Sequence, residues 1–174
     1  MNLLVGVTGG IAAYKAAELV SAAVKASHTV RVMMTENATR FVGPATFEGL
    51  TGHPVLTNTF EDAMAHIEWA KWADSAVIAP LTANTMAKLA MGLADDALTT
   101  VIMAIPAATP ITLAPAMNTV MWEHPATVRN RDWLEAMGRY RFVDPISKRL
   151  ACGDTGPGGL AEVTDILNTA LGSP

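Results

Sequence analysis

Residues 115–122, with the sequence Pro-Ala-Met-Asn-Thr-Val-Met-Trp, could hold a small carboxylate at the point where a strand ends. They follow an apolar run over residues 111–114 that is typical of a buried strand, and open α/β sheets bind ligands at the carboxyl ends of their strands. The amide of Asn118, placed among apolar side chains, could orient a carboxylate without adding a charge of its own. Taken alone, the segment could instead be a polar turn followed by core-facing methionine and tryptophan side chains.

Two further side chains could transfer protons. His66 can gain or lose a proton near neutral pH, although a lone histidine is more often a structural hydrogen-bonding residue. Trp69 and Trp72, which follow it, are expected to pack into the core or a subunit interface. Cys152 lies at the edge of a glycine-rich segment, residues 150–161, that predicts a mobile loop. Such a loop could close over a substrate and present the thiol as a proton donor, or it could be a surface loop with an incidental cysteine.

Three turns rich in glycine, hydroxyl and amide groups each follow an apolar strand, at residues 8–10, 35–39 and 79–85. The first of them precedes a helix, whose free N–H groups favour an anion. Its glycine spacing is not the dinucleotide-binding fingerprint, and no phosphate-loop lysine follows in register. Threonine and asparagine also cap helices, which accounts for part of this polarity. Because the three turns share one edge of a sheet, we interpret them together as a site for a nucleotide or flavin phosphate.

The elements that must position these residues alternate between strands and helices. Near-continuous apolar runs predict strands at residues 3–7, 28–34, 75–79, 111–114 and 141–143. Helical patterns cover residues 11–25, 41–50, 63–72, 85–92, 94–104, 126–137 and 163–171. The alternation predicts one domain over residues 1–174 with a parallel sheet covered on both faces. We therefore expect an α/β protein with three layers, α/β/α, of the flavodoxin-like or Rossmann-like type.

The composition argues against several classes of protein. The 174 residues are 51% hydrophobic and 16% charged, with a formal net charge of −4, so some apolar surface is expected to be buried between subunits. Scattered basic residues do not favour nucleic acid as a partner. The first apolar run is too short for a signal peptide or a membrane span, so no membrane partner is expected. A single cysteine and four scattered histidines favour a reducing, cytoplasmic setting and no metal site.

Five motifs, in order over residues 3–163, carry a resemblance to a known family. They are Gly-Val-Thr-Gly-Gly-Ile-Ala-Ala-Tyr-Lys, His66 before Trp-Ala-Asp, Ala-Pro-Leu-Thr-Ala-Asn-Thr, Pro-Ala-Met-Asn-Thr-Val-Met-Trp, and Ala-Cys-Gly-Asp-Thr-Gly-Pro-Gly. With them the chain resembles the homo-oligomeric flavin-containing cysteine decarboxylases. The resemblance implies a cytoplasmic flavoprotein that uses FMN. It also implies self-association into trimers or dodecamers, with the FMN site built at contacts within trimers.

The resemblance also implies a role for each candidate residue. His66 is expected to act as the base, Asn118 to hold the substrate carboxylate, and Cys152 to protonate the intermediate. The residues implied to bind FMN are Gly9, Gly10, Thr35, Pro80, Thr82, Ala83, Asn84 and Thr85. Those implied to bind substrate are Asn118, Met121, Ala151, Gly153 and Asp154. The chain departs from the family at residues 159–160, where Gly-Leu stands in place of the arginine or alanine followed by methionine that many relatives carry. If the arginine of those relatives contacts substrate, this segment is expected to bind substrate more weakly here.

The implied reaction is decarboxylation of the cysteine moiety of 4'-phosphopantothenoylcysteine to 4'-phosphopantetheine, a step of coenzyme A synthesis. The thiol would first be oxidised by FMN to a thioaldehyde, which accepts the electrons released as CO₂ departs. The main alternative is oxidative decarboxylation of a C-terminal peptide cysteine to an enethiol in peptide-antibiotic synthesis. That chemistry does not need the cysteine loop, so Cys152 favours the first reaction. Weaker alternatives are a non-catalytic flavin-binding regulatory protein and a flavin prenyltransferase.

Overall fold

In the computed structural model of the protein, residues 1–58, 64–149, 153 and 155–172 are described. Within them, five parallel strands form one sheet in the order β2-β1-β3-β4-β5. The strands are β1 (Asn2–Val7), β2 (Thr29–Met34), β3 (Ser75–Leu81), β4 (Ile111–Pro115) and β5 (Tyr140–Phe142). Every residue of β3 and β4 is buried, as expected for central strands with both faces covered.

A single residue, Leu56, extends the sheet beyond β2. Its carbonyl accepts a hydrogen bond from the N–H of Met34 at 2.9 Å, and its own N–H donates to the carbonyl of Val32 at 3.0 Å. With this one-residue bridge counted as a strand, the strand order is that of the Rossmann sheet, and without it the order is flavodoxin-like. Both orders reverse between β1 and β3, which is where such sheets bind their ligands.

Helices cover both faces of the sheet and give the fold its three layers. They are α1 (Tyr14–Lys25), α2 (Glu36–Thr39), α3 (Pro44–Thr51), α4 (Ala65–Trp72), α5 (Ala83–Met91), α6 (Ala97–Ala104), α7 (Thr119–Trp122), α8 (Pro125–Ala136) and α9 (Val163–Leu171). Neighbouring residues of β1 enter different cores: Leu3 belongs to the core that includes α1, α3 and α9, and Leu4 to the one that includes α4, α5, α6 and α8. The predicted three-layer α/β/α fold is therefore confirmed. None of the described helices is long and apolar enough to cross a membrane.

The strands and long helices lie where the alternation predicts them, with shifted ends. The helix predicted over residues 11–25 begins with a 3-10 turn, Ile11–Ala13, before α1. Strand β3 continues past its predicted end at residue 79 as far as Leu81. Helix α7 has no predicted counterpart, because four residues are too few to display a helical period.

The glycine-rich segment that is predicted as a mobile loop is instead a strand over its described second half. Thr155–Gly159 forms β7, which pairs antiparallel with β6 (Ile146–Arg149). Gly158 is buried, and its carbonyl accepts a hydrogen bond from the N–H of Met117 at 2.9 Å. Glycine therefore serves here for close approach of two backbones. The loop prediction is wrong for residues 155–159.

Arg31 on β2 ties the helix that carries His66 to the sheet. Its guanidinium carbon lies 4.5 Å from the ring centroid of Trp72 and 5.4 Å from that of Trp69, within the range of cation–π attraction. Both rings belong to α4 and to one core, as predicted for the two tryptophans. These contacts fix α4 beside β2 and so set where its first turn lies.

Candidate functional site

A cavity of about 720 Å³ opens where β1, β3 and β4 end, at the point where the strand order reverses. Its volume is in the range of pockets for small molecules and cofactors. The predicted site residues that line it are Gly9, Gly10, Thr35, Thr82, Ala83, Asn84, Thr85, Asn118 and Met121. The fold thus brings the three polar turns and the segment around Asn118 to one place.

The hydroxyl of Thr8 joins the ends of β1 and β3 beside the cavity. It donates a hydrogen bond to the carbonyl of Pro80 at 2.7 Å and accepts one from the N–H of Thr82 at 3.0 Å. Because Thr8 is fully buried, removal of the hydroxyl leaves polar backbone groups without this partner. Thr8 belongs to the predicted glycine turn, but only the tertiary contact with β3 reveals its role.

Thr8→Val is expected to lower the free energy of unfolding by about 1–3 kcal/mol, the cost of leaving a buried hydrogen-bonding group unpaired. Valine keeps the shape of threonine, so the packing around residue 8 changes little. Urea denaturation of the variant and the parent measures the difference. Thr8→Ser, which keeps the hydroxyl, is the control and should lose less. A Thr8→Val protein as stable as the parent would contradict the role of this hydroxyl.

Gly9 and Asn37 show how closely the glycine turn packs on α2. A Cβ atom at Gly9 would lie 2.5 Å from the Cβ of Asn37 and 2.8 Å from its carbonyl carbon, a clash that only glycine avoids. The N–H of Gly10 donates to the carbonyl of Thr8 at 3.0 Å. The turn therefore presents backbone without side chains to the cavity, which suits a ligand that approaches the main chain closely.

Two of the threonines predicted to bind cofactor also cap helices. The hydroxyl of Thr35 accepts a hydrogen bond from the N–H of Ala38 at 3.3 Å, and that of Thr82 accepts one from the N–H of Thr85 at the same distance. The capping interpretation therefore holds for both residues. A hydroxyl can donate while it accepts, so capping leaves Thr35 able to donate to a ligand in the cavity. The hydroxyl of Thr82 also donates to that of Thr85 at 3.3 Å.

Asn118 immediately precedes α7 and presents an oriented amide. Its Oδ1 accepts a hydrogen bond from the N–H of Val120 at 2.8 Å, which fixes how the side chain points. Asn118 is half-buried and lines the cavity together with Met117 and Met121. An amide held in this way among thioethers has the surroundings that the carboxylate hypothesis requires.

The other predicted site residues lie away from the cavity wall or outside the described residues. His66 is half-buried near the start of α4 and does not line the cavity of a single chain. Pro80 is buried within β3, where its carbonyl accepts the hydrogen bond from Thr8. Gly153 is exposed with a φ of 96°. Residues 151, 152 and 154, namely Ala151, Cys152 and Asp154, lie outside the described residues.

A group of charged side chains that the sequence analysis does not single out also lines the cavity. Lys88 on α5 contacts carboxylate oxygens of Asp95 at 2.7 Å and Asp96 at 2.8 Å. Asp96 also accepts a hydrogen bond from the N–H of Thr99 at 2.8 Å, which caps α6. Burial alone would raise the pKa of Asp96, but the hydrogen bonds from Lys88 and Thr99 lower it below its ordinary value of 3.8.

The stability of the protein is expected to fall in acid through Asp96. A carboxylate whose pKa is lower in the folded chain stabilises the fold above its unfolded pKa, and this contribution is lost as the pH falls through the folded pKa. For Asp96 the loss begins near pH 3.8 and continues below it. Urea unfolding over a series of acidic pH values should show that Asp96→Asn removes this part of the pH dependence. Asp144→Asn, at an exposed position, should not, and equal acid sensitivity of Asp96→Asn and the parent would contradict the assignment.

Lys15 and Lys148 bring two more cations to the cavity wall. Neither forms a salt bridge with a carboxylate among the described residues. Lys15 lies within the glycine-turn motif, whereas Lys148 comes from a hairpin that no periodic pattern predicts. In the part of the chain that the structure describes, no group of three or more histidine, cysteine, aspartate or glutamate side chains could hold a metal ion.

Comparison with known sequences gives close relatives over nearly the whole chain. The Coenzyme A biosynthesis bifunctional protein CoaBC of Bacillus subtilis (strain 168) is 47% identical over 173 residues, which are 97% of this chain and 42% of that protein. The probable phosphopantothenoylcysteine decarboxylase of Streptococcus mutans is 43% identical over 170 residues, 95% of this chain and 94% of that protein. The chain thus spans less than half the length of the bifunctional relatives that it matches.

Comparison with solved structures finds the same fold in known decarboxylases. A cysteine-to-serine variant of PPC decarboxylase, complexed with pantothenoylaminoethenethiol, matches with a TM-score of 0.85 and 36% identity, over 97% of this chain and 94% of that one. The FMN-dependent cysteine decarboxylase SpaF matches with a TM-score of 0.83 and 36% identity, over 98% and 95% of the two chains. The Flavoprotein family matches residues 1–173. The chain therefore belongs to the Flavoprotein family.

Proposed function

We propose that this protein decarboxylates the cysteine moiety of 4'-phosphopantothenoylcysteine to give 4'-phosphopantetheine, with FMN as its cofactor. The observation that carries the proposal is the cavity at the switch point of the sheet, where Asn118 and three polar turns meet. The relatives support it, because the Streptococcus mutans protein of similar length is named a probable phosphopantothenoylcysteine decarboxylase. A substrate that belongs to coenzyme A synthesis also favours a cytoplasmic location.

The residues around the cavity fit a flavin nucleotide. Gly9 and Gly10 line the cavity and carry no side chain, so a phosphate or ring can approach the backbone of this turn closely. The hydroxyls of Thr35 and Thr82 and the amide of Asn84 add hydrogen-bonding groups to the wall. The cavity, at about 720 Å³, is large enough for a cofactor. We therefore infer that these turns hold FMN.

Three side chains then carry the chemistry of the substrate. When bound, the flavin supplies the reversible two-electron oxidation that makes the thiol-bearing carbon an electron acceptor for decarboxylation. In the proposal His66 removes the S–H proton, and Asn118 holds the carboxylate in position until CO₂ leaves. Cys152 returns a proton to carbon in the last step. The PPC decarboxylase variant that lacks a cysteine and is complexed with an aminoethenethiol supports a cysteine as the final proton donor.

We infer further that the working site is completed by self-association into a trimer or dodecamer. Two considerations support this inference. His66 does not line the cavity of its own chain, so a neighbouring copy is needed to bring an imidazole there. Large apolar side chains stand exposed beside the cavity, among them Ile11 at 63%, Tyr14 at 61% and Val120 at 72% exposure, and such a group of side chains is typical of a protein interface.

The activity is tested by incubating the purified chain, with its flavin, with phosphopantothenoylcysteine and with a peptide that ends in cysteine. Mass spectrometry should detect phosphopantetheine from the first and little change in the second. Enethiol formed from the peptide alone would overturn the proposal in favour of peptide modification. Bound flavin with no CO₂ release from either substrate would instead favour a non-catalytic flavin-binding protein.

A further inference from the structure

The side chain of Lys148 lies across Gly159 on the opposite strand of the β6–β7 hairpin. A Cβ atom built at Gly159 would be 2.7 Å from Cγ and 2.8 Å from Cδ of Lys148, so the lysine stem fills the space that a side chain at position 159 would need. The Lys148 ammonium donates to the carbonyl of Leu160 at 3.0 Å. Lys148 and Gly159 both line the cavity. The β6–β7 hairpin thus places the Lys148 cation on the cavity wall beside Gly159.

The three lysines of the cavity wall differ in their partners. Lys88 is neutralised by two carboxylates, those of Asp95 and Asp96. Lys15 and Lys148 form no salt bridge with a described carboxylate, and both line the cavity. Burial lowers the pKa of Lys148, the charge of Lys15 lowers it further, and the more favourable charge of Glu162 does not compensate. The cavity wall therefore carries two lysines, Lys15 and Lys148, that no described carboxylate pairs with.

We propose that Lys148, next to Lys15, binds a phosphomonoester in this cavity. A phosphomonoester carries a charge of about −1.5 to −2 near neutral pH, which matches two adjacent ammonium groups better than a single carboxylate does. Its oxygens accept charge-assisted hydrogen bonds from lysine. The inference rests on the proposed function, in which two phosphomonoesters enter the cavity, the substrate and FMN.

Four variants of the full chain separate charge from packing. Lys148→Met keeps the aliphatic stem on Gly159 and removes the ammonium. Lys148→Arg keeps the charge. Gly159→Ala forces the Lys148 stem to move without changing the charge of the chain, and alanine is allowed there because the φ of Gly159 is not in the left-handed region. Lys25→Met, at the exposed last residue of α1, is the matched control.

Each variant is measured with a phosphorylated ligand and with the same ligand lacking its phosphate. One arm compares kcat and KM for phosphopantothenoylcysteine and for pantothenoylcysteine. The other compares the release of FMN and of riboflavin on dilution, followed by flavin fluorescence. Lys148→Met should weaken one phosphorylated ligand by roughly 10- to 100-fold, the range for a hydrogen bond to a charged group, and leave its unphosphorylated counterpart unchanged. Lys148→Arg should retain most of the affinity, Gly159→Ala should lose part of it, and Lys25→Met should lose none.

The arm that responds identifies the source of the phosphate. A loss confined to phosphopantothenoylcysteine, seen in KM with little change in kcat, assigns Lys148 to the substrate, and a loss confined to FMN assigns it to the cofactor. Equal effects on phosphorylated and unphosphorylated ligands, or no effect in either arm, would overturn the proposal. If the parent protein does not turn over phosphopantothenoylcysteine, the proposed function fails by itself, and the comparison of FMN with riboflavin still decides the role of Lys148.

Discussion

His66→Asn should lower kcat for the decarboxylation by roughly 10²- to 10⁴-fold, the contribution expected of a general base. Asparagine is close to histidine in size and polarity, but it cannot take up the S–H proton of the substrate. The flavin should stay bound and oxidised after substrate is added, because the first step is blocked. Release of CO₂ and the visible absorption spectrum of the flavin measure the two effects in one sample.

A matched substitution separates this effect from a general disturbance of the fold. His53→Asn makes the same change in the connection between α3 and the Leu56 bridge, at a half-buried residue that does not line the cavity. It should leave kcat and the flavin spectrum unchanged. A His66→Asn protein that turns over substrate at the parent rate would remove His66 from the mechanism.

The position of His66 outside its own cavity makes a sharper test possible. If the base acts in the cavity of a neighbouring chain, His66→Asn and Asn118→Ala proteins should each be inactive alone. After mixing and subunit exchange, about a quarter of the sites should combine an intact histidine with an intact asparagine, since each comes from a random chain of a symmetric assembly. No recovery in the mixture, with exchange demonstrated by mass spectrometry, would place His66 and Asn118 in the same chain.

The sheet could be predicted from the sequence because its strands are buried on both faces. Runs such as residues 76–79 are continuously apolar, a pattern that is typical of a strand covered on both faces. What the runs do not contain is the strand order. The one-residue bridge at Leu56 lies outside every predicted strand, and it alone decides whether the order is Rossmann-like or flavodoxin-like.

The sequence predicts part of the candidate site. It predicts the residues that follow a strand directly, and it does not predict contacts that depend on the tertiary fold. The turns at Gly9, Thr35 and Thr82 each follow a strand, so local sequence places them at one edge of the sheet. The hydrogen bond of Thr8 to the carbonyl of Pro80 joins segments 72 residues apart, and the packing of Lys148 on Gly159 depends on a hairpin that no periodic pattern predicts. The charges of Lys88, Asp95 and Asp96 are close in sequence, but only the fold shows that they line the cavity.

The hairpin shows why glycine is ambiguous in a sequence. Four glycines and a proline close together are typical of a mobile loop, and the same residues also serve where one backbone must lie against another. Only the approach of β7 to the segment after β4 distinguishes the two cases here. Gly156 illustrates the point, because a Cβ there would be 2.7 Å from the hydroxyl oxygen of Thr119.

Gly158→Ala should undock this hairpin and so test whether it supports the cavity. Gly158 has a φ of 134°, which alanine rarely adopts, and a Cβ there would collide with the carbonyl oxygen of Met117. The backbone strain alone costs about 1–3 kcal/mol, and the collision adds to it. The hydrogen bond from Met117 to Gly158 should break, and the orientation of Asn118, one residue further, should be lost with it.

Two measurements follow the change in Gly158→Ala. Urea denaturation should give a lower free energy of unfolding than in the parent, and KM for the substrate should rise because the amide no longer holds the carboxylate. The control is Gly49→Ala in α3, where a Cβ meets nothing within 4 Å and alanine should add about 0.5–1 kcal/mol of stability. If the stability and KM of Gly158→Ala equal those of the parent, β7 can shift to accommodate the new methyl group without disturbing the segment around Asn118. In that case the hairpin contributes the Lys148 cation to the cavity but does not support the amide.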